Sequence, residues 1–259
     1  MKLYGIVPAA GKGSRLSPLP FSKELFPLGY QRVNGRVVPS PVSQHLITSM
    51  YEAGVRQVYF IVNTTKHDIQ RYYQGGNRFG MDISYLIQEN PTGMVDAISL
   101  ATPWIPANEE ALFVFGMPDS LFYPTTMFRD MVNYMEHHHE IDIVLGIFPT
   151  EFWQKLGMVI IDEDSTKPFI VHEIQDKPAA KPPTQYAWGI AVWRKPFQQF
   201  LTDCVHRHTA DTELVLSEVF MQARHEGMHL RCFIGEDYMD TGTAEELQKA
   251  IRLINEQGI

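Results

Sequence analysis

Arg15 and Lys23 are the first side chains whose types and spacing suggest chemistry. The residues ahead of them are small: Ala9, Ala10, Gly11, Gly13 and Ser14. Such residues leave backbone N–H groups bare and let the main chain approach a ligand closely. An apolar run at residues 3–7 leads into them and predicts a buried strand. Strand, bare loop and two cations together describe a cradle for a polyphosphate. Two familiar phosphate loops fail on spacing. For a Walker loop, Gly5 to Gly11 is one residue too long, and Gly13 stands where the magnesium-binding hydroxyl belongs. A dinucleotide fingerprint needs a glycine where Leu16 stands, which makes a NAD-binding dehydrogenase a poor option.

Asp119 is the next candidate. It follows an apolar run at 113–115, and an aspartate closing a strand at the carboxyl edge of an α/β sheet is where a metal ligand belongs. A simple turn aspartate is the competing reading. His137, His138 and His139 are consecutive, so on a helix they point in different directions and cannot converge on one ion. A solvated helix end is expected there. Cys204 and Cys232 make no metal or disulfide pattern, so reduced thiols are the reading.

The elements that must position these residues alternate through the first half. Strands are predicted at 55–62, 82–88, 111–115 and 141–148, and helices at 42–53, 66–74, 92–101 and 125–139. This alternation argues for an α/β fold with a Rossmann-like, doubly wound, mostly parallel sheet, which gathers ligands at the carboxyl ends of its strands. The second half is more mixed. Strands at 158–161, 169–174, 185–193 and 229–234 accompany helices at 195–206, 211–226 and 243–255, a smaller lobe. Thr243 and Glu246 make a capping box for the last helix. Asp211 and Glu213 open their predicted helix as capping residues. Residues 29–41 are polar and turn-rich, with Asn34-Gly35 as a hairpin tip.

The 259 residues are enough for one domain, and 44% hydrophobic content suits a sizeable core. A net charge of −8 argues against non-specific nucleic-acid binding. An anionic substrate must be held by local cations rather than by a global field. Residues 1–20 carry no charged-then-apolar leader, and no apolar run approaches membrane-spanning length. A soluble, cytoplasmic protein with no nucleic-acid and no membrane partner is expected.

Gly11, Gly13, Ser14, Arg15, Leu16, Pro18, Lys23 and Pro27 spell Gly-x-Gly-Ser/Thr-Arg-Leu-x-Pro, then a lysine, then an apolar-x-Pro step. The run resembles the signature loop of the sugar-1-phosphate nucleotidyltransferases, or NDP-sugar pyrophosphorylases. Its pattern is nearest to the glucose-1-phosphate thymidylyl- and uridylyltransferases. The resemblance implies the nucleotide-diphospho-sugar transferase fold over residues 1–259, with 1–150 as the nucleotide-binding half and 151–259 as the sugar-phosphate half.

It implies site residues as well. Gln88 would meet a uracil or thymine edge, since an amide donates and accepts at once, with Gly93 letting the base lie on bare backbone. Asp240, in Asp-Thr-Gly-Thr, would join Asp119 in holding Mg²⁺ against a triphosphate. Lys177 would face the phosphate of a sugar 1-phosphate. Asp176, Gly157, Trp188 and Gly189 would line the sugar pocket, although Trp188 suits core packing equally. Arg15 would face the leaving pyrophosphate, and Lys23 the reacting phosphorus. The implied partners are a nucleoside triphosphate and a sugar 1-phosphate, with a homo-oligomer also in view because relatives are commonly dimers or tetramers. Asp96, Asp176 and Met117-Pro118 depart from the pattern of these relatives. Cytidylyl or guanylyl transfer, a non-sugar phosphate acceptor, and an inactive nucleotide-sugar sensor stand as alternatives.

Overall fold

The computed structural model describes residues 1–257 except 34, 91, 163–165, 167 and 211. In chain order the elements are β1 (Lys2–Pro8), β2 (Pro27–Val33), β3 (Arg36–Pro41), α1 (Val42–Glu52), β4 (Gln57–Val62), α2 (His67–Tyr73), β5 (Asp82–Ile87), α3 (Met94–Ser99), β6 (Ala111–Gly116) and β7 (Ser120–Tyr123). They continue as α4 (Met127–His137), β8 (Ile143–Pro149), β9 (Gly157–Asp162), β10 (Phe169–Asp176), β11 (Tyr186–Arg194), α5 (Lys195–Arg207), α6 (Leu216–His225), β12 (Leu230–Ile234), β13 (Asp237–Asp240) and α7 (Ala244–Gln257).

One nine-stranded sheet, ordered β5-β4-β1-β6-β11-β8-β12-β10-β9, runs through both halves of the chain. β6 is buried at every position, as a strand covered on both faces must be. Val95 and Ile98 of α3, Phe197 of α5 and Val219 of α6 pack in the core on one face. Leu46 of α1, Ile69 of α2 and Met131 of α4 pack in the core on the other. The α/β expectation therefore holds. The parallel part is confined to β5-β4-β1-β6 and the β8–β12 pair, because β11 enters antiparallel between β6 and β8. Parallel neighbours need a long crossover, usually helical, and among the described residues no helix lies between β9, β10 and β11. Among the described residues no helix is long and apolar enough to cross a membrane.

Residues 27–41 form the expected antiparallel hairpin, whose tip residue Asn34 lies outside the described residues. The helix expected from residue 211 begins at Leu216. Its predicted cap Asp211 lies outside the described residues, and Glu213 turns elsewhere, as described below. Thr243 accepts from the Glu246 N–H at 3.3 Å, which makes one half of the capping box, and the Glu246 carboxylate takes the Thr243 hydroxyl at 2.8 Å instead of its N–H. The β7–β13 ribbon was not foreseen. It pairs Ser120 with Asp240 and Tyr123 with Asp237.

His45 of α1 holds this ribbon through Nε2, which lies 3.0 Å from the Phe122 carbonyl oxygen and 3.2 Å from its N–H. Burial lowers the His45 pKa to about 4, so the folded protein keeps the ring neutral while the unfolded chain binds a proton near pH 6.5. The stability this residue contributes is complete above pH 6.5 and is lost as pH falls toward 4. Urea unfolding at pH 7 and pH 5 should differ by about 2 kcal/mol more in the wild type than in His45→Gln. Equal pH slopes would remove His45 from the account.

Candidate active site

The loop after β1 begins as an anchor. Ala9 donates its N–H to Ile61 O at 2.7 Å, and Ala10 O accepts from the Asn63 side chain at 2.7 Å. The Ala9 N–H is thus taken by the sheet rather than left bare for a ligand, whereas the N–H of the buried Ala10 donates to no protein acceptor among the described residues. The open stretch is one step further on. Among the described residues, the N–H groups of Gly11, Lys12 and Gly13 donate to no protein acceptor. A Cβ at Gly11 would meet nothing within 4 Å, and Gly13 has φ 64°, a conformation suited to glycine. A short 3₁₀ turn, Ser14–Leu16, then carries the exposed Arg15.

A second 3₁₀ turn, Lys23–Leu25, is clamped to α2 on both sides of Lys23. Ser22 donates its N–H and its hydroxyl to Asp68, each at 2.6 Å. Lys66 donates to both oxygens of Glu24, at 2.6 and 2.7 Å, with both side chains buried. Burial raises the Glu24 pKa, and the Lys66 charge opposes that rise.

Lys23 reaches from this clamp to the Asp119 carboxylate at the end of the segment that follows β6. Burial acts to lower the Lys23 pKa, but Asp119 outweighs it and the net shift is upward, so the ammonium stays charged. The β7–β13 ribbon sets Asp240 beside Asp119. Thr241 fixes the junction by donating its N–H and hydroxyl to Asp119 O, at 2.9 and 2.7 Å. Asp240 accepts the Gly242 N–H at 2.7 Å. Burial and the Asp119 charge push the Asp240 carboxyl up to about 6, against the pull of Gly242 and Arg15. Arg15 lies over the same turn, where a Cβ on Gly242 would come within 3.1 Å of its Nη2.

Arg15, Lys23, Asp119, Asp240 and Lys177 line one pocket of about 260 Å³. Lys177 is held at φ 42°, a left-handed conformation rare outside glycine, and its N–H donates to Leu156 O at 3.0 Å. Asp176 lies 3.7 Å from the Lys177 ammonium and accepts from Ser217 Oγ at 3.2 Å. Ser217 in turn accepts from the Trp188 indole at 2.9 Å. The Trp188 ring packs on Phe220 at 5.5 Å and Phe115 at 6.3 Å, so core packing accounts for it although its edge lines the pocket. Gly157 makes room for this chain, since a Cβ there would fall 2.3 Å from Trp188 Nε1. Gly189 likewise accommodates the Tyr238 ring at 2.4 Å. Both glycines line the pocket, yet what requires them is the approach of protein side chains.

Gln88 stands apart, at the carboxyl end of β5, donating to Gly93 O at 3.1 Å and to Asp96 at 2.7 Å. Gly93 is not the open surface expected. A Cβ there would fall 2.6 Å from Glu213 Cγ, and Glu213 accepts the Met94 N–H at 3.3 Å. Glu213 thus meets the start of α3 rather than of its own helix. A second chamber of about 560 Å³ shares Arg15, Lys177 and Asp240 with the first, and of its two further lysines Lys155 lines both chambers and Lys249 this one alone. No spacing in the sequence marked these two lysines. His137 bonds Asn133 O at 2.7 Å and His138 stacks on Tyr134 at 4.1 Å, each ring with its own local partner.

A buried carboxylate, Asp119, and a half-buried one, Asp240, whose pKa it raises, form an oxygen donor set that suits Mg²⁺, an ion that needs one or two carboxylates beside substrate phosphates.

The family model described as nucleotidyl transferase matches residues 4–257. The chain belongs to that family. Its relatives bear out the resemblance to sugar-1-phosphate nucleotidyltransferases. It is 24% identical to the low-salt glycan biosynthesis nucleotidyltransferase of Haloferax volcanii, over 98% of this chain and 66% of that protein. It is 24% identical to the glucose-1-phosphate thymidylyltransferase of Neisseria meningitidis, over 97% of this chain and 82% of that protein. Among solved structures, an apo UDP-glucose pyrophosphorylase superposes with TM-score 0.78 at 17% identity, covering 100% of both chains. The UDP-glucose pyrophosphorylase of Acinetobacter baumannii gives 0.79 at 16%, covering 99% of this chain and 94% of that one. This nucleotidyltransferase is of the NDP-sugar type.

Lys66→Met leaves the Glu24 carboxylate buried without its partner and should destabilise the protein by about 3–5 kcal/mol in urea unfolding. Glu24→Leu combined with Lys66→Met should recover most of that loss. A double variant as unstable as the single one would contradict the clamp.

Proposed function

We propose that this chain transfers a nucleotidyl group from dTTP or UTP to a sugar 1-phosphate, giving an NDP-sugar and pyrophosphate with Mg²⁺. The observation that carries the reading is the convergence of Arg15, Lys23, Lys177, Asp119 and Asp240 on one pocket, beside a loop whose N–H groups are free. Those residues come from five segments of the chain, and such a mixture of cations and carboxylates suits a phosphoryl group between two anionic partners.

The nucleophile is an oxygen of the sugar phosphate, already ionised, so no general base is required. That oxygen forms a bond to the α-phosphorus in line with the bond to the β-phosphate, which breaks as pyrophosphate leaves with the electron pair. The Gly11–Gly13 backbone would hold the triphosphate, and Arg15 would take up charge on the departing pyrophosphate. Lys23, kept protonated by Asp119, would neutralise the reacting phosphate. Lys177, aimed by its left-handed backbone, would hold the incoming phosphate, and Asp176 would face sugar hydroxyls. A bound Mg²⁺ would be held by Asp119 and Asp240 and would offset triphosphate charge. Positioning and neutralisation carry the rate.

Pyrophosphate release, measured with magnesium across nucleoside triphosphates and sugar 1-phosphates, should require one of UTP or dTTP together with one sugar phosphate. Lys23→Met, Lys177→Met and Asp119→Asn should each lower kcat/KM by roughly a hundredfold or more, about 3–4 kcal/mol of transition-state stabilisation. Release with CTP or GTP, or with a phosphorylated alcohol alone, would replace the substrates named here. Near wild-type turnover of Asp119→Asn would remove it from the metal site.

A further inference from the structure

We propose that Asp96 is a positioning residue that fixes which atom of Gln88 meets the nucleobase. The inference rests on the reading that a nucleoside triphosphate lies over the carboxyl ends of β1, β4 and β5.

The Gln88 amide has two N–H donors on Nε2 and one carbonyl acceptor. Both donors are taken, one by Gly93 O at 3.1 Å and one by Asp96 Oδ2 at 2.7 Å. Each partner is an acceptor with no hydrogen to give, so turning the amide over would set its oxygen against two others. Asp96 is itself held, because Thr92 Oγ1 donates to the same Oδ2 at 2.7 Å. Among the described residues the Gln88 carbonyl oxygen has no hydrogen-bond partner. Among the described residues no buried side-chain polar atom lacks one, so this oxygen is open to solvent although the residue is mostly buried.

Gln88 therefore presents an acceptor and nothing else. That narrows the expectation of an amide that both donates to O4 and accepts from N3–H. Uracil and thymine carry a ring N–H on their pairing edge and satisfy the acceptor. Cytosine presents a ring lone pair at the same place, where two acceptors face each other. An asparagine at position 96 could donate as well as accept. It would leave Gly93 O as the remaining acceptor against a turned amide, so the amide could turn at lower cost and offer its N–H to the cytosine nitrogen.

Calorimetric binding and steady-state kinetics with UTP, dTTP and CTP test this in the wild type, Asp96→Asn and Thr92→Val. The wild type should favour UTP or dTTP over CTP by about tenfold or more. Asp96→Asn should narrow that preference roughly fivefold through KM and Kd, with kcat on the favoured triphosphate changed less than about threefold. Thr92→Val, which leaves both Gln88 contacts intact, should keep the preference. An unchanged preference in folded Asp96→Asn would overturn the proposal, as would an equal shift in Thr92→Val. Base-dependent binding that responds to Asp96, without pyrophosphate release on any sugar phosphate, would uphold this inference while removing the proposed reaction. No triphosphate binding by the wild type would overturn both.

Discussion

Two carboxylates that repel each other set the conditions for everything around them. Asp119 and Asp240 face one pocket, and burial there strengthens their repulsion enough to lift the Asp240 pKa. Such a pair persists only where positive charge is built in close by. Lys23 supplies it by direct contact with Asp119, and Arg15 by lying over the turn after Asp240. Lys23 is held in place by its sequence neighbours, Ser22 on Asp68 and Glu24 on Lys66. Charge thus alternates outward from the pocket, carboxylate to ammonium, with the buried Glu24–Lys66 pair holding the Lys23 turn to α2. The charges that hold one another in this pocket are the ones a polyphosphate and a divalent cation would engage.

What could be read from the sequence was what the chain holds locally. The loop from Gly11 to Lys23 was legible because its small residues and cations are consecutive, and Asp119 because a strand end is a local event. The direction of β11 was not legible, since a strand buried on both faces has the same composition whichever way it runs. The β7–β13 ribbon was missed because its strands are four residues each and meet only through distant pairing. Asp240 was found by resemblance, and only the ribbon explains why it stands next to Asp119.

The glycines teach a related lesson. A glycine at a site suggests space for a ligand, and Gly11 fits that reading. Gly93, Gly157 and Gly189 do not, because Glu213, Trp188 and Tyr238 fill the space a Cβ would take. Missing atoms in a sequence do not say what occupies their volume. Glu213 and Asp96 carry the same message for charge. Glu213 looks like a helix-cap residue in its own segment and instead meets the start of α3, while Asp96, a departure from the pattern of the relatives, takes up the Gln88 amide.

The place of β11 in the sheet has a temporal consequence. Every strand of the β5-β4-β1-β6 block lies within residues 2–116, so this block is complete before β11 and β13 have been synthesised. The edge of β6 then stays bare until residues 186–194 arrive to pair with it. The ribbon partner of β7 comes later still, at residues 237–240. On a ribosome the Gly11–Gly13 loop is therefore made beside an exposed strand edge, before the second carboxylate, Asp240, arrives. A nascent chain would hold the loop proposed to bind a triphosphate well before it holds both carboxylates of the pocket.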